Sequence, residues 1–95
     1  MNDLGKLYTF KSLPKYFWKE KTDVKNNTVR LIDLDDVRFR ELIAWSEIGF
    51  NDGDVIISIV CDNETITRHV RDITLWNEYM IITWHPAGYY TKQKG

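Results

Sequence analysis

The sequence holds one cysteine, two prolines and no long apolar run. Cys61 has no partner for an internal disulfide, and an unpaired thiol fits a reducing compartment. No stretch of roughly 18 apolar residues is present, which excludes a transmembrane helix. The first residues, MNDLGKLYTF, lack the basic and then apolar layout of a secretory signal. We therefore expect a cytoplasmic protein that does not bind membranes.

Sequence signatures of metal binding and catalysis are missing as well. His69 and His85 are 16 positions apart and no cysteine pair accompanies them, so the spacing of a zinc site is absent. There is no Gly-rich phosphate loop. Cys61 and His69 are predicted to lie on opposite faces of one hairpin, which opposes their pairing as nucleophile and base. We expect no metal and no cofactor, and the residues favour a noncatalytic protein.

Aromatic residues are plentiful and charge is unevenly distributed. The 95 residues include four Trp, five Tyr and four Phe, enough for one packed core. Residues 1–30 carry seven basic and three acidic side chains, whereas residues 31–66 carry two basic and nine acidic ones. A basic patch can therefore attract an anion although the net charge is −1. We expect a single domain over residues 1–86, followed by a C-terminal tail at 87–95.

Apolar periodicity and turn residues predict five strands and two helices. The predicted strands lie at residues 7–10, 28–32, 55–61, 65–73 and 79–84. The first helix follows Ser12 as its N-cap and holds Pro14 in its first turn. The second follows the acidic run 33–36 and ends at Gly49. This order predicts an α+β domain, built on a small, curled, mostly antiparallel sheet or β-barrel with two flanking helices.

Side-chain patterns give further expectations for the core and for one exposed surface. The apolar stripe of the second helix is predicted to contain Phe39, Leu42, Ile43 and Ile48. A turn at Asn63-Glu64 would place Cys61 opposite Ile66. Trp18 and Trp84 are expected in or at the edge of the core. Trp45 and Trp76 are expected to be partly exposed and, with Arg71, form a candidate surface for a protein partner.

The segment KNNTVR, residues 25–30, holds the candidate ligand-binding residues. In a strand, Thr28 and Arg30 project to the same side and Val29 to the other. Arginine grips a phosphate or carboxylate with two hydrogen bonds, and Lys25 adds a movable point charge. Two interpretations remain open: these side chains form a solvated strand face, or they line a ligand cleft.

Two motifs in this order resemble those of ASCH domains, a branch of the PUA-like superfamily. One is K-x-x-T-x-R, formed by Lys25, Thr28 and Arg30, and the other is the turn F-N-D-G-D-V at residues 50–55. The resemblance spans roughly residues 5–84. It implies a barrel-like sheet whose cleft is lined by the K-x-x-T-x-R strand, with Asp54 as a further ligand-binding residue.

The resemblance also implies what the cleft would do. Relatives bind RNA or modified nucleosides, and some hydrolyse an acylated cytidine amide with the Lys, the Thr and a later Glu. Relatives place this Glu in a segment between late strands, and here the only carboxylates near that segment lie in or beside tight turns, at Glu64, Asp72 and Glu78. We therefore expect a noncatalytic module that binds RNA, a nucleotide or a small ligand, and an amidohydrolase acting on acylated nucleosides remains an alternative.

A further alternative belongs to a different class of function. Minimal ASCH-like proteins resemble those of bacterial viruses and mobile elements, where blocking a host defence protein is one role. The acidic residues 31–66 and the aromatic side chains of Trp45 and Trp76 would suit a host protein partner.

Overall fold

The computed structural model describes residues 5–88, so the predicted tail lies outside the described residues from 89 onward. In chain order the elements are β1 (Lys6–Lys11), α1 (Pro14–Lys21), β2 (Asn27–Leu31), α2 (Val37–Ile48), β3 (Val55–Cys61), β4 (Glu64–Trp76) and β5 (Tyr79–Trp84). The predicted α+β class and the predicted order of the elements are confirmed. No helix within residues 5–88 is both long and apolar enough to cross a membrane.

The five strands form one sheet in the order β1-β3-β4-β5-β2. The β1–β3 pair is parallel, and the other three pairs are antiparallel. Strand β4 is long enough to pair with β3 along its first half and with β5 along its second. The register shifts between Val70 and Asp72, and an irregularity of this kind bends a strand and increases its twist. The sheet therefore curls into a half-barrel.

The curling brings the two edge strands towards each other. Strands β1 and β2 stand at opposite ends of the strand order, yet the guanidinium of Arg30 in β2 lies 5.0 Å from the ring centroid of Phe10 in β1. The guanidinium of Arg38 in α2 lies 4.3 Å from the same ring. Cations are attracted to the face of an aromatic ring, so Phe10 links β1, β2 and α2.

The core fills the concave side of the sheet. It combines apolar side chains from β1, β3, β4 and β5 with Phe17 of α1 and with Phe39 and Leu42 of α2. Burial of each such side chain contributes about 1.5–3 kcal/mol. Ile43 packs against the core as predicted, but the prediction for Ile48 is wrong, since this residue is 76% exposed. Ile48 is the last residue of α2, directly before Gly49 turns the chain away at a φ of 83°.

The N-cap of α2 is the one that the sequence predicts, and the N-cap of α1 is a different residue. The side chain of Asp36 caps α2 by accepting a hydrogen bond of 2.9 Å from the backbone N–H of Arg38. In α1 the N-cap is Leu13 rather than Ser12, and no side chain caps it. The hydroxyl of Ser12 instead donates to the carbonyl of Leu13. Pro14 lies in the first turn as predicted, where its missing N–H costs no helical hydrogen bond.

The turn of the β3–β4 hairpin lies one residue earlier than predicted, which shifts the pairing of the two strands by two residues. Asp62 and Asn63 form the turn, so Cys61 pairs with Glu64 and Ile59 pairs with Ile66. Asp62 has a φ of 53°, a left-handed conformation that Asp tolerates better than most residues. Because side chains alternate with a period of two, a shift of two residues leaves the predicted faces unchanged.

The burial of Trp84 agrees with the prediction, and that of Trp18 does not. Trp84 is fully buried, as predicted, but Trp18 is 58% exposed and the core prediction for it is wrong. Successive residues of a helix point about 100° apart, and the inward direction in α1 is taken by Phe17. Trp18 therefore faces away from the core.

Candidate ligand-binding cavity

A cavity of about 390 Å³ lies between the end of β1, helix α1 and strand β2. Its volume is within the range of roughly 300–1,000 Å³ found for small-molecule sites. The lining residues are Lys11, Ser12, Leu13, Tyr16, Glu20, Lys25, Thr28, Val29 and Arg30. The structure thus brings the predicted residues Lys25, Thr28 and Arg30 together in one concave site.

Polar groups form the buried part of this cavity. Thr28 is 4% exposed and Glu20 is 1% exposed, whereas Arg30 is half-buried and the side chain of Lys25 is 28% exposed. Buried polar groups cost free energy unless they are hydrogen-bonded. A cavity with a polar interior and cations at intermediate depth is therefore suited to a polar or anionic ligand.

Arg30 is held in place from two sides. Its Nε donates a hydrogen bond of 2.9 Å to Oγ1 of Thr28, and its guanidinium stacks on Phe10. Burial lowers the pKa of Arg30, the negative charge of Glu20 opposes that effect, and the positive charge of Arg38 adds to it. No residue between 5 and 88 accepts a hydrogen bond from either Nη atom. Both Nη groups are therefore available to an anion.

Lys25 approaches the cavity from the turn between α1 and β2. Its Nζ lies 3.5 Å from Oε2 of Glu20 and 5.3 Å from the ring centroid of Tyr16. Its backbone N–H donates to the carbonyl of Lys19 over 2.9 Å. The local turn and the charge of Glu20 together orient the ammonium group.

Asp23 and Arg68 hold the turn that carries Lys25. Asp23 adopts a φ of 64°, which reverses the chain after α1. Its Oδ1 lies 3.8 Å from Nε of Arg68, and Nη2 of Arg68 donates over 3.2 Å to the carbonyl of Lys21. Arg68 in β4 therefore joins the end of α1 to the sheet.

Glu20 is the residue of this site that the sequence did not indicate. Its Oε1 is buried and accepts no hydrogen bond from any residue between 5 and 88. The only signal in the sequence is its spacing, because Phe17 and Glu20 lie three residues apart and share one face of α1. A glutamate in a lysine-rich segment is normally interpreted as solvent-exposed, and here it is not.

Asp54 does not contribute to the cavity. Its Oδ2 accepts a hydrogen bond of 2.8 Å from the backbone N–H of Asn51, and its carbonyl accepts one of 2.8 Å from Lys6. Among residues 5–88, Asp54 is not one of those that line the cavity. Its role is to close the turn before β3, which corrects the expectation that it lines the same cleft as Lys25.

The three carboxylates near the late strands, Glu64, Asp72 and Glu78, do not line the cavity between α1 and β2. Glu64 pairs with Lys21 at 2.5 Å, and Asp72 accepts a hydrogen bond of 2.6 Å from the Thr74 hydroxyl. Glu78 contributes its carbonyl to Ile32 at the end of the β2–β5 pair. None of the three lines the described part of the cavity, and its only carboxylate there comes from α1.

The residues of the candidate partner surface have different environments. Trp45 is half-buried, and its Nε1 donates a hydrogen bond of 3.0 Å to the hydroxyl of Tyr8. Trp76 is 61% exposed at the end of β4 and stands in register with the exposed residues Tyr79 and Leu31. Arg71 is exposed at the irregularity of β4. A protein partner for this surface stays a prediction.

Cys61 and the histidines occupy other parts of the fold. Burial raises the pKa of the Cys61 thiol, and the charges of Asp62 and Glu64 raise it further, which disfavours the reactive thiolate. Asp52 lies between the two histidines, with its Oδ1 at 3.5 Å from Nε2 of His85 and 4.0 Å from Nδ1 of His69. Within the described chain no three His, Cys, Asp or Glu residues are placed to hold a metal ion.

No protein-family model matches the chain, and a search of the curated proteins finds no match either. The resemblance to ASCH domains therefore stays a prediction that rests on the K-x-x-T-x-R and G-D motifs.

Proposed function

We propose that the chain is an ASCH-like, noncatalytic module that binds RNA or a nucleotide in the cavity between α1 and β2. The observation that carries this proposal is the convergence of Lys25, Thr28 and Arg30 on one cavity. A half-barrel with two helices and the order of the K-x-x-T-x-R strand and the G-D turn support the same proposal.

The chemistry of the cavity matches an anionic ligand. Arg30 offers its free Nη groups in the planar arrangement that suits a phosphate, and Lys25 adds a second positive charge. Thr28 holds Arg30 through its Oγ1 and can still donate its own hydroxyl hydrogen. The surplus of acidic residues in 31–66 disfavours binding along a duplex, which needs several phosphate contacts.

Calorimetric titration of the protein with the four ribonucleoside monophosphates and a short single-stranded RNA tests this proposal. We expect Arg30→Ala to weaken binding at least about tenfold, since it removes a charge-assisted contact. Arg71→Ala and Lys19→Ala are matched controls, because both remove an exposed cation that does not line the cavity. If Arg30→Ala and Lys25→Ala bind every probe as the parent does, the proposal is wrong.

A second candidate, an amidohydrolase acting on acylated nucleosides, gains support from Glu20. A carboxylate lines the same cavity as Lys25 and Thr28, so an acid, an amine and a hydroxyl are all present. Incubation with an acylated cytidine, followed by chromatography, tests this candidate. Turnover that disappears in Thr28→Val would support it, and no turnover by folded protein would remove it.

A further inference from the structure

The carboxylate of Glu20 retains unused hydrogen-bonding capacity inside the cavity. Its Oε1 has no donor among residues 5–88, although the residue is only 1% exposed. Its Oε2 is 3.5 Å from Nζ of Lys25, which is longer than the roughly 2.7–3.2 Å of a normal hydrogen bond. Both oxygens can therefore accept hydrogen bonds from a ligand. Hydrogen bonds that a ligand donates to a buried carboxylate stabilise it.

An aromatic ring stands one helical turn from this carboxylate. Tyr16 precedes Glu20 by four residues, so the two side chains share a face of α1, and both line the cavity. Tyr16 is 43% exposed, and the Nζ atoms of Lys15 and Lys25 lie 5.0 and 5.3 Å from its ring centroid. A nucleic acid base can stack on such a ring at one place and present its edge to a carboxylate at another.

We propose that Tyr16 and Glu20 bind the base of the nucleotide, and that this base carries two adjacent N–H donors, as guanine does. This inference rests on the proposed nucleotide site. Guanine presents N1–H and the 2-amino group side by side, and one carboxylate can accept from both. Uracil presents a single N–H between two carbonyl oxygens, which a carboxylate repels. Adenine and cytosine present one amino donor beside a ring-nitrogen acceptor.

The cations of the cavity complete the recognition. Glu20 selects donors, while Lys25 and the free Nη groups of Arg30 select the phosphate. The expected ligand therefore has two recognised parts: a base edge that donates hydrogen bonds, and an anionic phosphate. Free phosphate has the anionic group but no base, so we expect it to bind weakly.

The test compares guanosine, inosine and uridine 5′-monophosphates by calorimetry, with the full chain and with Glu20→Gln. We expect the guanine nucleotide to bind at least about tenfold more tightly than the uridine nucleotide. Glu20→Gln should reduce this preference to about twofold or less while leaving the uridine nucleotide within about threefold, since the phosphate contacts remain. A merely structural role of Glu20 would weaken all three nucleotides equally.

The outcomes separate this inference from the proposed function. Equal binding of all three nucleotides by the parent, or a guanine preference that survives in folded Glu20→Gln, overturns the inference and leaves the nucleotide site standing. Absence of binding by every nucleotide overturns both. If Glu20→Gln does not fold, the parent alone decides, because inosine monophosphate lacks only the 2-amino group. It should bind about tenfold more weakly than the guanine nucleotide, and equal affinity refutes the proposal.

Discussion

Nζ of Lys25 lies 3.5 Å from Oε2 of Glu20, so a carboxylate that is almost fully buried has an ammonium group beside it at the cavity wall. The two residues belong to different elements, since Glu20 is in α1 and Lys25 is in the turn before β2. The positive charge compensates a carboxylate that water reaches poorly, and it adds to the positive potential of the proposed ligand site. We therefore expect the same pair to affect both fold stability and the proposed ligand binding.

Removal of Lys25 should destabilise the fold through Glu20. In Lys25→Ala the buried carboxylate loses its nearest cation, and we expect the free energy of unfolding to fall by about 1–3 kcal/mol. In a Glu20→Gln background the same change should cost under about 0.5 kcal/mol, because no buried charge is left uncompensated. Urea denaturation at neutral pH of the four proteins measures this coupling. Equal costs in both backgrounds would show that the pair does not interact, and Lys19→Ala controls for loss of an exposed cation from the same segment.

The phenol of Tyr8 should make stability depend on alkaline pH. Burial and the hydrogen bond of 2.7 Å that its hydroxyl donates to Glu41 raise the pKa of Tyr8 to about 12. An unfolded tyrosine ionises near 10, so the contribution of Tyr8 is complete below about pH 10 and is lost between about 10 and 12. Chemical denaturation across this range should show a loss of about 2–3 kcal/mol that is missing in Tyr8→Phe. Parallel pH profiles of the two proteins would contradict this expectation.

Two tryptophans offer a direct comparison of core and surface. Trp84 is fully buried and Trp18 is 58% exposed. We expect Trp84→Ala to lower the free energy of unfolding by about 3–5 kcal/mol, because it leaves a large cavity. Trp18→Ala should change it by less than about 1 kcal/mol. Urea denaturation measures both, and a comparable loss in the two variants would contradict the burial found for Trp84.

Gly5 permits a close approach at the start of β1. A Cβ atom at this position would lie 2.0 Å from the carbonyl oxygen of Gly53, which is a backbone atom and cannot rotate away. Gly5→Ala should therefore displace the β1 edge and lower the melting temperature. Gly49→Ala is the control, because a Cβ there meets no atom within 4 Å and its cost comes only from a φ of 83°. A higher melting temperature for Gly5→Ala than for Gly49→Ala would contradict this account.

The sequence was informative where local chemistry decides the structure. Strand β5 was predicted with its observed bounds, because the turn residues Asn77 and Glu78 precede a run that is mostly apolar and aromatic. Asp36 and Gly49 delimit α2 through a side-chain cap and a positive φ, which are properties of single residue types. Lys25, Thr28 and Arg30 line one cavity, in which Thr28 and Arg30 share one face of β2, and their role in ligand binding stays a prediction.

The remaining features depend on contacts between distant segments. Glu20 is buried where α1 packs against β3, and it shares one cavity with Lys25 and Arg30, which no local pattern indicates. Trp18 was misplaced because an eight-residue helix leaves too few positions to define an apolar stripe. Asp54 was assigned to the cleft by its motif alone, whereas hydrogen bonds within its own turn determine its position.

The most direct test of the central claim is a titration of ¹⁵N-labelled protein with guanosine 5′-monophosphate, followed by amide chemical shifts. Binding in the cavity predicts shift changes concentrated at residues 11–30, with saturation at a single site. The same titration of Arg30→Ala should give much weaker changes at the same amides. Shift changes concentrated at Leu31, Trp76 and Tyr79, or no saturable change in the folded protein, would contradict a nucleotide site built on Lys25, Thr28 and Arg30.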